Sequence, residues 1–317
     1  MLPYWTRSAG TGGKIKSPED FIVKETIHRK YFAKYRTAGG VSRKEGKYDL
    51  FLLRKRNMTT HEALALLRKR FGAGKIGFAG LKDKKAVTEQ HITMEGGSDF
   101  KENGIELVKA GTSDKMLSKG NLIGNEFIIT LHGCNAKKLQ KVIAEINKRG
   151  FPNYFGPQRF GAGGNNHAIG RLIVKRKFDK ALQLINKSYG KDYKEIFHVK
   201  KEILKFFVNA YQSWIFNETL AGYVRKGKYF SGFIPLIGCN TKKPGKSSEI
   251  MKREKISPKD FMVSKLRLSC SGGERKAFIK TYLKYTINGN KALLNFTLPP
   301  GSYATVVLRE VTKKEVR

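Results

Sequence analysis

Cysteine is scarce in this 317-residue chain: Cys134, Cys239 and Cys270 stand far apart, in no CxxC arrangement. A disulfide framework is thereby excluded, and a zinc site is not expected. Cys239 and Cys270 read as small buried residues rather than nucleophiles. Histidine is equally thin, six dispersed residues, so the paired histidines or metal–carboxylate cluster of an RNA-cleaving enzyme are not in view. No stretch approaches the roughly 20 apolar residues of a membrane span, and residues 1–13 hold no apolar run like that of a signal peptide. A reduced, soluble, cytoplasmic protein, without membrane or metal, is the expectation. Acidic residues are the most telling shortage: 26 Asp plus Glu face 63 Lys plus Arg, a net charge of +37.

Such a charge repels itself unless an anionic partner neutralises it. Membrane-surface binders concentrate Lys and Arg on one amphipathic helix or tail. Here basic clusters recur along the chain, among them Arg54-Lys55-Arg56, Arg68-Lys69-Arg70, Lys175-Arg176-Lys177 and Lys252-Arg253. A surface basic over much of its extent suits a nucleic acid, whose counterions are released on contact. Adaptation to a saline cell, or compositional bias, is the plainer alternative. Apolar residues at 40% and aromatics at 11% suffice for packed cores, and the length suggests about two domains.

Residues 21–23 and 48–53 read as strands, separated by a basic, glycine-containing loop over 36–47. Thr59 and Glu62 form a capping box for a helix carrying Ala63, Leu64, Leu67 and Phe71 on one side, with Gly72 or Gly74 to end it. Residues 105–108 and 127–132 are further strand candidates. Asn135 caps a helix through Leu139, Val142, Ile143 and Ile146, stopped by Gly150. Leu204, Phe207, Val208, Tyr211 and Ile215 repeat the helical spacing. Residues 238–259 are polar and basic and read as an exposed connection, while 292–298 and 303–311 read as two closing strands around Pro299-Pro300-Gly301. Strands and helices interleave at both ends and 160–235 is mostly helical, the pattern of an α/β or α+β body with a helical insertion.

The segment Gly80-Leu81-Lys82-Asp83-Lys84-Lys85 sets one carboxylate among three lysines. Nearby ammonium groups would hold Asp83 ionised, and an ionised, positioned Asp can serve as a covalent nucleophile. A solvated charged turn is the bland alternative. Gly161-Ala162-Gly163-Gly164 lacks the following Lys-Ser/Thr and the preceding strand of a phosphate loop. The block from Pro152 to Gly161 is aromatic and basic at once: it suits a loop that stacks on bases, and equally an ordinary core-and-turn segment.

Taken together, these segments resemble the TruD family of tRNA pseudouridine synthases. The resemblance runs in order along nearly the whole chain: Ile15-Lys16-Ser17-Pro18-Glu19-Asp20-Phe21, Ala79-Gly80-Leu81-Lys82-Asp83 with Ala86-Val87-Thr88-Glu89-Gln90, and Gly124-Asn125-Glu126-Phe127. It continues with Asn153-Tyr154-Phe155-Gly156 and Gln158-Arg159-Phe160-Gly161, then Tyr211-Gln212-Ser213 with Phe216-Asn217, and closes with Gly301-Ser302-Tyr303-Ala304-Thr305 through Leu308-Arg309-Glu310. It implies an α+β fold: a catalytic domain of mixed sheet flanked by helices, residues 1–156 and 273–317, with a largely helical TRUD domain inserted at 157–272. It also implies a monomeric isomerase that turns uridine into pseudouridine in tRNA, at uridine 13, without cofactor.

By the same resemblance the catalytic nucleophile falls on Asp83, and substrate-binding positions on Phe21, Asn125, Phe127 and Tyr303. Lys16 falls on a lysine expected beside the aspartate. Leu81 departs from a family position that is often polar, and the helical insertion is short. The rival reading is a non-catalytic RNA-binding or RNA-chaperone protein, which would not require Asp83, Asn125 and Tyr303 together.

Overall fold

The computed structural model describes residues 2–28 and 46–315. The expected basic loop over 36–47 lies, except for its last two residues, outside the described residues. The chain divides into two compact units, one made of Thr11–Ile143 with Thr281–Gly301, the other of Met1–Gly10, Ala144–Lys280 and Ser302–Arg317. These boundaries follow contacts within each unit and differ from the expected catalytic and inserted domains.

The first unit is built on a nine-stranded mixed sheet. Its strands are β1 (Phe21–Ile27), β2 (Tyr48–Arg56), β3 (Gly77–Phe78), β4 (Val87–Met94), β5 (Phe100–Glu102), β6 (Ile105–Ser113), β7 (Leu122–His132) and a C-terminal hairpin, Lys284–Asn288 with Lys291–Leu298. From the hairpin the order is β7-β1-β4-β2-β6-β5, with β3 beside β4. Only β1 and β4 pair in parallel. Between β2 and β3 runs α1 (Thr60–Phe71), opened by the expected capping box and closed at Gly72 in the left-handed conformation, φ 63°. Its Ala63, Leu64 and Leu67 are fully buried with Phe51, Leu53, Ile92 and Met94. Each such leucine contributes roughly 1.5–3 kcal/mol. In α2 (Ala136–Arg149) the backbone N–H of Lys138 donates to Asn135 Oδ1 at 3.0 Å, and the four expected core residues are buried.

β4 escapes the sequence pattern because three of its fully buried residues, Thr88, Gln90 and Thr93, are polar. Buried polar side chains are usually hydrogen-bonded; Gln90 and Thr93 are, whereas the Thr88 hydroxyl has no partner among the described residues. Two of them hold loops, one beside Asp83.

The second unit holds α3 (Asn166–Val174), α4 (Phe178–Tyr189), α5 (Lys201–Arg225), α6 (Ser247–Glu254) and α7 (Ala304–Thr312). The five expected apolar residues of α5 all lie in its core. Gly170 lets α3 lie directly on α5: a Cβ there would stand 2.0 Å from the Phe207 carbonyl oxygen. Two expectations are corrected. Residues 303–311 do not form a strand: Tyr303 is the N-cap and Ala304–Thr312 form α7, buried throughout, and a short run of mostly apolar β-branched residues does not by itself separate a buried helix from a strand. Residues 238–259 are no plain exposed connection, since α6 buries Met251 and Glu254, the latter paired with Arg171 and Lys175. Cys134 and Cys270 are buried and Cys239 half-buried, all as free thiols.

Candidate active site

Asp83 sits on the turn between β3 and β4, in a loop whose backbone is held from three directions. Gln90 of β4 donates through Nε2 to the Gly80 carbonyl at 3.2 Å. The Thr60 hydroxyl, at the start of α1, donates to Gln90 Oε1 at 3.0 Å and accepts from the Lys82 N–H at 3.0 Å. Lys55 of β2 donates through Nζ to the carbonyl oxygens of Asp83 at 3.0 Å and Met58 at 2.5 Å. Thr60, Gln90 and Lys55 expose 1% of their surface or less. Bonds from a buried ammonium are worth about 1.5–3 kcal/mol each, and a neutral hydroxyl or amide bond roughly half that. The exposed residue Leu81, at the family's often polar position, therefore leaves the backbone on either side of Lys82 anchored.

Neighbouring residues 82 and 83 face opposite ways. The Lys82 side chain is buried, and its Nζ lies 2.5 Å from Glu25 Oε2 and 2.9 Å from Asn125 Oδ1. Glu25 and Asn125 are cross-strand partners on β1 and β7, so one ammonium ties both strands to the loop. The other Glu25 oxygen accepts from the His91 N–H at 3.2 Å. Asp83, by contrast, is open to water.

Burial raises the Asp83 carboxyl above the usual aspartate range, against the opposing pull of Lys55 and Lys82. From sequence alone the ammonium groups prevail; the fold adds the crowding of the carboxyl by protein, which outweighs them. Burial likewise raises Glu25 despite Lys82, brings Lys55 down to about 8 and, with Lys82, brings His91 down to about 4.

Along the same face of β1 and β7 the polar end gives way to an aromatic one. Two residues along a strand span about 7 Å. Asn125 is followed on its face by Phe127, and Glu25 is preceded by Val23 and Phe21. The Phe21 ring meets Phe127 edge-on at 6.1 Å, and Phe127 stacks on Phe296 at 5.5 Å. Asp83, Asn125, Phe127 and Phe21 thus belong to one unit. Tyr303 belongs to the other: half-buried at the N-cap of α7, its ring centre lies 6.1 Å from Phe155 and 5.9 Å from the Arg275 guanidinium. Lys16 is exposed, and its N–H donates to Asp20 Oδ2 at 2.8 Å. The cations acting on Asp83 are Lys55 and Lys82 instead.

Sequence reasoning missed the roles of Lys55, Thr60, Gln90 and Glu25. Lys55 had been counted in a surface basic run, although it shares strand parity with buried Phe51 and Leu53; that alternation was the available signal. Among the described residues no group of three or more His, Cys, Asp or Glu is placed to hold a metal, and no described helix is long and apolar enough to cross a membrane.

Comparison with known proteins points one way. The sequence profile of the family described as tRNA pseudouridine synthase D (TruD) matches residues 1–195 and 224–311. The tRNA pseudouridine synthase D of Aquifex aeolicus is 31% identical, over 95% of this chain and 98% of its own. A relative of that description from Pyrococcus furiosus is 29% identical, over 98% of each. A TruD crystal structure from Methanosarcina mazei matches the fold with a TM-score of 0.75 at 25% identity, covering 99% of this chain and 97% of that one.

Proposed function

The chain belongs to the TruD family of tRNA pseudouridine synthases, and on that premise we propose that it isomerises uridine 13 of tRNA to pseudouridine with Asp83 as the nucleophile. As an isomerase acting on tRNA it would work in the cytoplasm. Residues 1–156 and 273–317 would form the catalytic domain and 157–272 the inserted one. The observation that carries the reading is the contrast at Asp83: a water-accessible carboxyl on a backbone pinned by three buried side chains. A nucleophile gains most from a fixed position, since orientation removes entropy from the barrier.

The target uridine must leave its stack, at a cost of a few kcal/mol. A stack on the half-buried Tyr303 would offset this by about 1–3 kcal/mol, with the buried Phe21 and Phe127 offering apolar packing rather than an open ring face. The Asn125 oxygen already accepts from Lys82, so what its amide would offer a uracil carbonyl is its N–H groups, as donors. Asp83 Oδ then bonds to C1′ as the N1–C1′ bond breaks and uracil departs as the anion. The base turns, C5 attacks C1′ and displaces the carboxylate. The C5 proton is lost and N1 gains one, so the sum is an isomerisation.

The test is purified Asp83→Asn with a tRNA transcript, read by carbodiimide mapping. The expected result is retained tRNA binding and no pseudouridine at position 13. Turnover like wild type would refute the nucleophile, and modification at another uridine alone would refute the position.

A further inference from the structure

Arg159, in the second unit, is a half-buried cation that the reaction as proposed does not use. Its Nε donates to Ser213 Oγ at 3.0 Å, and that hydroxyl donates in turn to the Asn209 carbonyl of α5 at 2.8 Å. The guanidinium carbon lies 5.7 Å from the Phe155 ring centre and 5.6 Å from that of Phe206. One hydrogen bond and two rings therefore hold the fork in place. Its two terminal nitrogens make no hydrogen bond among the described residues, and neither is one of the buried polar atoms left unpaired. Water reaches both, so both are open to a ligand.

No carboxylate among the described residues pairs with this charge. A second guanidinium stands at the same ring instead. Arg275 lies 4.1 Å from the Phe155 centre, donating to the Asn153 carbonyl at 2.9 Å and to Asn153 Oδ1 at 2.7 Å. Burial lowers the pKa of both arginines, and the Arg159 charge lowers that of Arg275 further. Like charges drawn together out of water cost free energy that an adjacent anion returns. A phosphate suits such a fork, because its oxygens accept two parallel N–H bonds. Beside the fork the Phe206 ring is 40% exposed, on the same stripe of α5 as Ser213, seven residues on. A lone exposed Phe is ordinary. An open ring next to a cation with unused donors is the pairing by which single-stranded nucleic acid is held.

We propose that Arg159 and Phe206 form a nucleotide subsite of the second unit, where the guanidinium takes a backbone phosphate of the tRNA and the ring takes an unstacked base next to it. The proposal rests on the functional reading only for the identity of the RNA. A net charge of +37 favours a polyanion over free phosphate, since every further phosphate contact along a strand releases counterions.

The test is tRNA binding by three variants over a range of salt concentrations. Arg159→Gln is expected to weaken binding about tenfold and to reduce the slope of log K against log salt by about 0.7–0.9, the share of one phosphate. Arg159→Lys keeps the charge and should keep the slope, which tells a lost contact from a damaged fold. Phe206→Ala, at an exposed position, should weaken binding about fivefold or more with the slope unchanged. Unchanged affinity of Phe206→Ala would overturn the proposal. So would a slope shared by wild type and Arg159→Gln; if inorganic phosphate then raised the Tm of wild type alone, the fork would belong to free phosphate. Variants that bind like wild type while wild type makes pseudouridine would overturn the subsite and leave the functional reading standing. A wild type that differs from its variants as expected yet makes no pseudouridine would support the subsite and refute that reading.

Discussion

Lys55 offers the sharpest test of how the Asp83 loop is held. Its side chain is fully buried, and burial brings its pKa from 10.5 to about 8. The folded state therefore disfavours the ammonium by about 3 kcal/mol relative to the unfolded chain. The folded pKa is depressed, so between pH 8 and 10.5 the unfolded chain binds more protons than the folded one. Stability contributed by residue 55 must therefore rise with pH across that window, and stay flat below pH 8, where both states are charged. The neutral amine can still donate to the Asp83 and Met58 carbonyls, so the loop does not lose its anchor.

Lys55→Met removes the titration and the anchor together. The assay is chemical denaturation of wild type and Lys55→Met at pH 7, 8, 9 and 10, because the difference between them cancels every other titrating group. The wild type should gain on the variant by up to about 3 kcal/mol over this range. At pH 7 the variant should bind tRNA normally and form pseudouridine at least tenfold more slowly, its Asp83 carbonyl no longer fixed. A difference that stays constant from pH 7 to 10 would refute the account of Lys55 as a desolvated ammonium. Unchanged turnover would refute its role in positioning.

The pH profile of the wild-type reaction provides a second test: with the Asp83 carboxyl raised by the protein crowded around it, activity should fall on acidification through a limb that lies above the ordinary aspartate value, and a limb at or below that value would count against that raised carboxyl. Glu25→Gln leaves the buried Lys82 ammonium without its counter-charge; a loss of about 3–5 kcal/mol by denaturation is expected, and a loss under 1 kcal/mol would mean the pair is not the brace of β1. Gly170→Ala drives a methyl into the Phe207 carbonyl and should lower stability by about 1–3 kcal/mol, read as a drop in Tm; a neutral variant would show that α3 and α5 separate freely.

Local signals in the chain were legible wherever neighbours in sequence are also the interacting pair. Thr59 and Glu62 cap α1 three residues apart, Asn135 caps α2, and the apolar spacing of α5 needs only its own period. The shortage of acidic residues pointed to a polyanionic partner, and ordered motifs to a family, without any contact being known. What only the tertiary structure decided depends on residues brought together from afar. Lys55, Thr60 and Gln90 close on the Asp83 loop from β2, α1 and β4, and the polar composition that does so hid β4 from the pattern. A run of buried residues reads alike as strand or helix, so α7 was settled by packing. The direction of the Asp83 shift is tertiary as well: sequence counts charges, but burial is a property of the fold, and here burial outweighs two lysines.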